Sequence, residues 1–379
     1  MRKLSRNRDR NRSASRKQRG VAIISALLVV SLTAILVSGM LWRQQVQVRR
    51  IENQRLLAQA QWISRSALDW TRLILRSEAD TSPTVTYLGG VWGVPIAKTK
   101  LSDFLGQIGE VRAQEGASTY LSGSIEDAQA KFNLRNLVST PTPGVLTINV
   151  EQIQAFQRLL TMLGLNGSLA KTVALQMRAG LTRSATRFQT QTGNGTNSTT
   201  GTGTDATIAA LAQGGAAGGG NFTDDPGLKD ADSDAPVAPL QMISVDSLLD
   251  VPGFSAEAVA KLRPFVTVLP TTTAVNMNTA PAEVVAAVVP GMNLSQGQAF
   301  VARRETVFFH DVGNVQLALT GAGVRAATSI DPNELDVTTK YFVIRGRVEH
   351  ERAQLERTTL VYRDPTTHTT RIVYTRDTL

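Results

Sequence analysis

Cysteine is absent from all 379 residues. That excludes a disulfide framework and leaves the compartment open. Histidine is nearly as scarce, with three in the chain: His310, His350 and His368. They stand far apart, without metal-ligand spacing. No nucleophile elbow, phosphate loop or dinucleotide-binding turn accompanies them. His310 falls in the stretch Phe308-Phe309-His310-Asp311, between two helical patterns, where a structural role is expected. Aromatic residues make up 5% of the chain. The inventory points away from an enzyme.

Charge is missing where its absence says most. From Val21 through Trp42, 22 residues pass without Asp, Glu, Lys, Arg or His. At ~1.5 Å of rise per residue such a helix reaches ~33 Å, enough to cross a bilayer core. A cleaved secretory signal has a shorter apolar core closed by a small-x-small site. No such site closes this run, so a retained membrane helix is expected.

The net charge of +9 first brings nucleic acid to mind. Its distribution says otherwise. Residues 1–20 hold nine Lys/Arg against one acid, Asp9, which accounts for +8 and leaves about +1 for the rest. A basic leader beside an apolar run reads as a positive-inside anchor, with the N-terminus cytoplasmic and residues 43–379 on the far side.

Past the span the pattern stays helical to residue 79. Leu56, Ala60, Ile63, Ala67, Trp70 and Ile74 recur at three- and four-residue steps and form one apolar stripe, expected to pack on a core. Asp80, Ser82 and Pro83 end it. Strands are expected at Thr84–Leu88 and Trp92–Ile96, around Gly89-Gly90. A further strand-like piece, Tyr120–Ile125, leads into Glu126-Asp127-Ala128-Gln129-Ala130-Lys131-Phe132-Asn133-Leu134-Arg135-Asn136-Leu137. Phe132, Leu134 and Leu137 can point inward while Asn133 and Asn136 serve turns. Glu126 and Asp127 imitate a catalytic carboxylate pair, but no His, Cys or Lys cluster joins them.

Helical periodicity then takes over, at Val150–Leu165 and Leu169–Leu181. The run 193–204 holds only Gly, Asn, Thr and Ser, the composition of a flexible loop. Acids follow at Asp224, Asp225, Asp230, Asp232 and Asp234. Oxygen ligands so placed can bind calcium, yet the spacing is not that of an EF-hand. A solvated acidic loop and a calcium site both remain open. Next come Pro252-Gly253-Phe254-Ser255 with a helix at Ala256–Leu262, then Val266-Thr267-Val268-Leu269-Pro270. A similar unit repeats: Val275-Asn276-Met277-Asn278-Thr279-Ala280-Pro281, a helix at Ala282–Val289, Pro290-Gly291-Met292-Asn293 and a helix at Leu294–Arg304.

These paired units are similar to helix-hairpin-helix modules, which hold phosphate on backbone N–H groups of a Pro-Gly-x-Gly hairpin. The second Gly is missing from both hairpins. Lys261, Arg263, Arg303 and Arg304 are few and interleaved with acids, so the electrostatic footprint of nucleic-acid binding is lacking. Strand patterns return at Tyr341–Val348, Thr358–Arg363 and Arg371–Tyr374, with a turn at Asp364-Pro365-Thr366-Thr367.

The junction Arg19-Gly20-Val21 resembles the signal of type IV pilins and pseudopilins. In that family a membrane-bound prepilin peptidase cuts after the Gly, and the new N-terminal residue is N-methylated. The resemblance implies a cut between Gly20 and Val21 and modification of Val21. The family's glutamate at the fifth mature position is replaced by Ser25. A carboxylate in lipid is expensive unless paired, and its family partner is the terminal ammonium of the subunit ahead. Ser25 thus suits a tip subunit with nothing ahead of it. It equally suits a small polar residue bonded to its own helix. The stretches Gly123–Leu137 and Val275–Val284 resemble two signatures of the K-type minor pseudopilin of type II secretion. Members of that family can bind calcium through Asp, Gly and Glu in their helical domain, a pattern that does not align here.

The expected fold is α+β and type IV pilin-like. A long N-terminal transmembrane and amphipathic helix would pack on an antiparallel sheet, with a large all-α SAM-like or helix-hairpin-helix-like domain inserted. The expected boundaries are a cleaved leader at 1–20, a span at 21–42 and an amphipathic helix at 43–80. The sheet would occupy 81–139 and 335–379, and the insert 140–334 with a flexible loop at 188–240. The resemblance implies a non-enzymatic tip subunit of the secretion pseudopilus, anchored in the inner membrane with its globular part periplasmic. Implied partners are the I-, J- and H-type minor pseudopilins, the major pseudopilin and the prepilin peptidase. Calcium is the one cofactor in view, at Asp224, Asp225, Asp230 and Asp232. The second reading is a minor pilin of a type IV pilus or DNA-uptake system whose hairpin units contact DNA.

Overall fold

The computed structural model describes the backbone of residues 14–103, 118–141, 145–192, 239–324 and 334–378, and the side chains of these except 14–21 and 183–192. Helix α1 runs without a break over Ala14–Thr81. Proline is absent from it, and Pro83 disfavours helical geometry at Ser82, whose N–H makes the last helical bond to Glu78 O at 2.8 Å. The described residues divide into two compact units. One takes those within Met1–Arg65, Lys100–Tyr120 and Val348–Leu355, the other those within Ser66–Thr99, Leu121–Arg347 and Glu356–Leu379.

In the first unit, Leu56 and Ala60 of the expected stripe are buried, as are Ala353 and Leu355. Polar contacts fix the same helix. Gln59 Oε1 lies 3.1 Å from His350 Nε2, whose Nδ1 is 2.7 Å from Thr119 Oγ1. Arg352 pairs with Glu52 at 3.0 Å.

The second unit contains most of a five-stranded sheet of order β1-β2-β9-β10-β11. Its strands are β1 (Ile96–Lys100), β2 (Thr119–Asp127), β9 (Tyr341–His350), β10 (Ala353–Arg363) and β11 (Thr370–Thr378). β10 and β11 are antiparallel, with a register shift between Leu360 and Val361. Successive side chains of a strand face opposite sides, and β9 uses both. Phe342 and Ile344 join Leu68, Leu75, Trp92 and Val361 in one core. Tyr341 and Val343 join Ala128, Leu269 and Leu360 in another. The chain leaves this sheet after Asp127 and returns at Tyr341.

Between those points lie short strands β3 (Phe132–Asn133), β4 (Val138–Ser139), β5 (Thr147–Ile148), β6 (Val266–Thr267), β7 (Val275–Asn276) and β8 (Leu335–Asp336). The helices are α2 (Val150–Met162), α3 (Leu169–Thr192), α4 (Ala256–Leu262), α5 (Ala282–Val288), α6 (Leu294–Thr306) and α7 (Val312–Gly321). A third core, from Phe132 to Val337, is built by these elements and the segments that join them. Their starts are set locally. Asn149, Ser255 and Asp311 accept from the backbone one turn on, and Asn293 forms a reciprocal capping box with Gln296.

Three expectations are corrected. Thr84–Leu88 is not a strand. Pro83 and Gly89-Gly90 crowd it, and Thr86 instead spends its N–H on Val337 O at 2.8 Å. Val91–Gly93 is a 3₁₀ turn that drops Trp92 against Phe342, and the strand begins at Ile96. α3 also continues to Thr192, beyond Leu181 where its periodicity was expected to end.

Gly297 lets α6 lie against α5. A Cβ there would stand 2.7 Å from Ala282 O and 3.3 Å from Ala286 Cβ. Gly297→Ala is therefore expected to destabilise by about 1–3 kcal/mol through overpacking, against the gain of about 1 kcal/mol that alanine brings to an open helix. Thermal unfolding of the two proteins reads the sign.

Candidate functional site

Gly20 and Val21 lie inside α1, so the expected processing junction is on helical backbone. From Ala22 the helix is long and apolar enough to cross a membrane. Its large apolar side chains, from Ile23 to Trp42, are all exposed. Lipid offers no hydrogen bonds, so polar groups in such a segment must be satisfied internally. Ser25 Oγ donates to Ala22 O at 3.0 Å, and Ser31 and Thr33 bond their own helix likewise. Ser25 is thereby satisfied in a single subunit.

The signature stretches are brought together around one buried carboxylate. Asp127 Oδ1 accepts from Gln129 N at 2.7 Å. Its Oδ2 accepts from Thr279 Oγ1 and Thr339 Oγ1, each at 2.6 Å, and from Asn276 Nδ2 at 2.9 Å. Burial pushes this carboxyl above the usual carboxylate range, while the four donors pull the other way. Arg363, also buried, donates to Leu75 O in α1, to Thr86 Oγ1 and to Thr339 O, at 3.0–3.1 Å. It stacks on the ring of Phe342 at 4.7 Å. Burial lowers its pKa, opposed by Asp127. The two charges are bridged through Thr339 and make no direct pair.

The other signature amides act as staples. Asn133 donates to Thr271 O and accepts from Leu269 N and Arg135 N. Asn136 both donates to Thr273 O and accepts from Thr273 N, copying a strand pair. Asn278 does the same with Phe309. Gln129 reaches Ala274 O and Lys340 N. Buried amides placed this way replace backbone partners that irregular segments would otherwise lack. Sequence reasoning located these residues but missed Thr86, Thr339 and Arg363. Thr86 and Arg363 fell within expected strands and Thr339 in no pattern, and none was marked for a role at this node.

Glu126, the apparent partner of Asp127, instead binds Lys131 at 2.6 Å and Arg345 at 2.8 Å. The hairpin glycines Gly253 and Gly291 take positive φ of 97° and 75°, conformations that favour glycine. The nearby cations are mostly engaged. Lys261 pairs with Glu257, and Arg263 with Asp246. Arg304 is buried, donates to Met277 O at 2.8 Å and is pushed down to about 10 by desolvation. His310 is exposed and tilts on Phe308. Among the described residues no cluster of His, Asp and Glu could hold a metal. Asp224, Asp225, Asp230 and Asp232 lie outside them.

Fold and site together define a protein with one N-terminal helix able to anchor it in a membrane, whose signature residues are spent on holding an α+β structure together. Comparison with known proteins narrows this. Two family models, both described as type II secretion system (T2SS) protein K, match residues 130–271 and 275–338, together more than half of the chain. The chain belongs to the type II secretion system protein K family. It is 30% identical over 161 residues to the protein K of Pseudomonas aeruginosa, a match covering 41% of this chain and 43% of that one. With the protein K of Aeromonas hydrophila it shares 28% over 152 residues, 39% of this chain and 41% of the other. The matched part thus spans less than half of each relative. Among solved structures, a chain of the GspK-GspI-GspJ complex of the enterotoxigenic Escherichia coli type 2 secretion system has a similar fold. The TM-score is 0.59 at 18% identity, covering 87% of this chain and 99% of that one.

Proposed function

We propose that the chain is a non-enzymatic minor pseudopilin at the tip of the type II secretion pseudopilus, where it starts and caps the filament for export across the outer membrane. One observation carries this: a single helix joins an apolar, membrane-length segment to a structure built on the two family signatures. In this reading the sheet, with the end of α1, is the pilin-like part. The helices between Phe132 and Val337 are the SAM-like insert, expected at 140–334. The insert leaves no room above the subunit, in keeping with Ser25. The N-terminus is cytoplasmic, the anchor sits in the inner membrane and the globular part is periplasmic.

The I- and J-type subunits named with the similar solved chain are the expected direct partners, followed by the H-type and the major pseudopilin. A prepilin peptidase cuts between Gly20 and Val21, and Val21 is then methylated. Calcium at Asp224, Asp225, Asp230 and Asp232 belongs to the same reading, and calorimetric titration of the protein with calcium tests it. The engaged state of Lys261, Arg263 and Arg304 leaves the DNA-contacting alternative without support.

The test is a Gly20→Asp substitution in a deletion strain. The uncut chain, 20 residues longer, is expected to accumulate in membranes while secretion falls to the level of the deletion. A wild-type chain that keeps Met1 at its N-terminus in secreting cells overturns the proposal.

A further inference from the structure

The segment just past the apolar run carries an unexplained charge pattern. Arg43, Arg49, Arg50 and Arg55 are all exposed on α1. Between Arg43 and Leu68 the one acid is Glu52, and it is held by Arg352 at 3.0 Å. Among the described residues, none of these four arginines has an acidic partner. Directly before them stands Trp42, 70% exposed, of the residue type that settles at the membrane–water interface.

Two features of placement identify the partner. The first is depth. With ~1.5 Å of rise per residue, Arg43 is ~1.5 Å beyond Trp42, Arg49 and Arg50 ~10–12 Å, and Arg55 ~20 Å. The headgroup layer adds about 5–8 Å outside each face of the hydrocarbon core, and screening at physiological salt sets in over ~8 Å. The first three therefore fall within reach of headgroup charge, and Arg55 sits at its edge. Helical side chains also lean toward the helix N-terminus, here toward the bilayer. The second feature is azimuth. At about 100° per residue, Arg50 lies about 20° from Arg43, while Arg49 and Arg55 lie about 120° away on opposite sides. An acidic protein partner would meet one face. These cations encircle the helix, as a surrounding shell of lipid does.

We infer that Arg43, Arg49 and Arg50, with Arg55 as the outermost member, form a belt that recruits anionic phospholipid headgroups around α1 in the leaflet on the globular side. The inference rests on α1 crossing a membrane and is independent of the pseudopilin reading. The full chain is reconstituted in phosphatidylcholine vesicles, and its selectivity for spin-labelled phosphatidylglycerol over spin-labelled phosphatidylcholine is measured. The leader is the same in every variant, so differences report on the belt.

In the combined variant Arg43→Gln, Arg49→Gln, Arg50→Gln the selectivity is expected to fall fivefold or more, at roughly fivefold per near-surface arginine in the ideal case. Arg55→Gln alone should change it less than twofold. Lysine at the same three positions should retain it, and raised salt should erase the difference. Selectivity unchanged in the triple glutamine variant overturns the proposal and assigns the belt to an acidic protein partner. Loss in the lysine variant overturns it too, because it would show that guanidinium geometry and not charge is read.

Discussion

Asp127→Ala is expected to lower the unfolding free energy by about 4 kcal/mol, because several donors lose their acceptor inside the protein at about 1–3 kcal/mol for each that stays unpaired. Gln129 N and Asn276 Nδ2 have the least freedom to turn elsewhere, since the first is backbone and the second also serves Thr86 O. The hydroxyls of Thr279 and Thr339 can rotate and recover part of the loss. Against a total stability of roughly 5–15 kcal/mol, such a change leaves little in reserve. Chemical denaturation of the two proteins measures it, and a loss below about 1 kcal/mol would show that Asp127 does not hold the node together.

The same carboxyl gives a pH dependence of defined sign. Burial raises its folded pKa above the unfolded value of about 3.9. The native state then binds the proton more firmly than the unfolded chain does. The associated stability is fully present below the unfolded value and is lost as pH rises through the folded one. Asp127→Asn removes the titration. The advantage of the wild type over that variant should therefore shrink as pH rises from 4 toward neutrality. An advantage that grows with pH would mean that the four donors outweigh desolvation.

How much of this was legible in the sequence depends on the range of each interaction. The helices after Ser255 and Asn293 were readable because a cap is decided within four residues, whereas the helix capped by Asp311 was not anticipated. The unbroken part of α1 from Val21 onward was readable from its spacing and from Pro83, but its first turns, Ala14–Gly20, were not. The signature amides Gln129, Asn133, Asn136, Asn276 and Asn278 could be picked out, but not the carbonyls and amides they staple. Those lie far away in the chain, as with Asn133 and Thr271, 138 residues apart. Thr86, Thr339 and Arg363 carried no signal of their place in the buried node, since a lone Thr or Arg looks like solvated surface. The misread strand at Thr84–Leu88 has the same cause. Its composition favours β structure, but its backbone is claimed singly by Val337 and Asn276, and tertiary demand overrides propensity.

The second large effect concerns orientation, and it follows from weighing the two ends of the span against each other. Topology is set mainly by Lys and Arg within about 15–20 residues of each end of a span, with acids contributing little. The leader carries nine such residues, and the globular side carries four in that window: Arg43, Arg49, Arg50 and Arg55. The wild type should hold its leader inside by a wide margin. Replacing seven leader positions (Arg6, Arg8, Arg10, Arg12, Arg16, Lys17 and Arg19) by Gln reverses the inequality, to two against four. A C-terminal alkaline phosphatase fusion of that variant should lose most of its activity, since the larger Lys/Arg count then stands on the globular side. Adding Arg43→Gln, Arg49→Gln and Arg50→Gln to the same variant should restore export, because two would then face one. That rescue separates a charge contest from a leader read only by a peptidase. Removing charge from the globular side cannot repair a damaged recognition site, but it does rebalance the span.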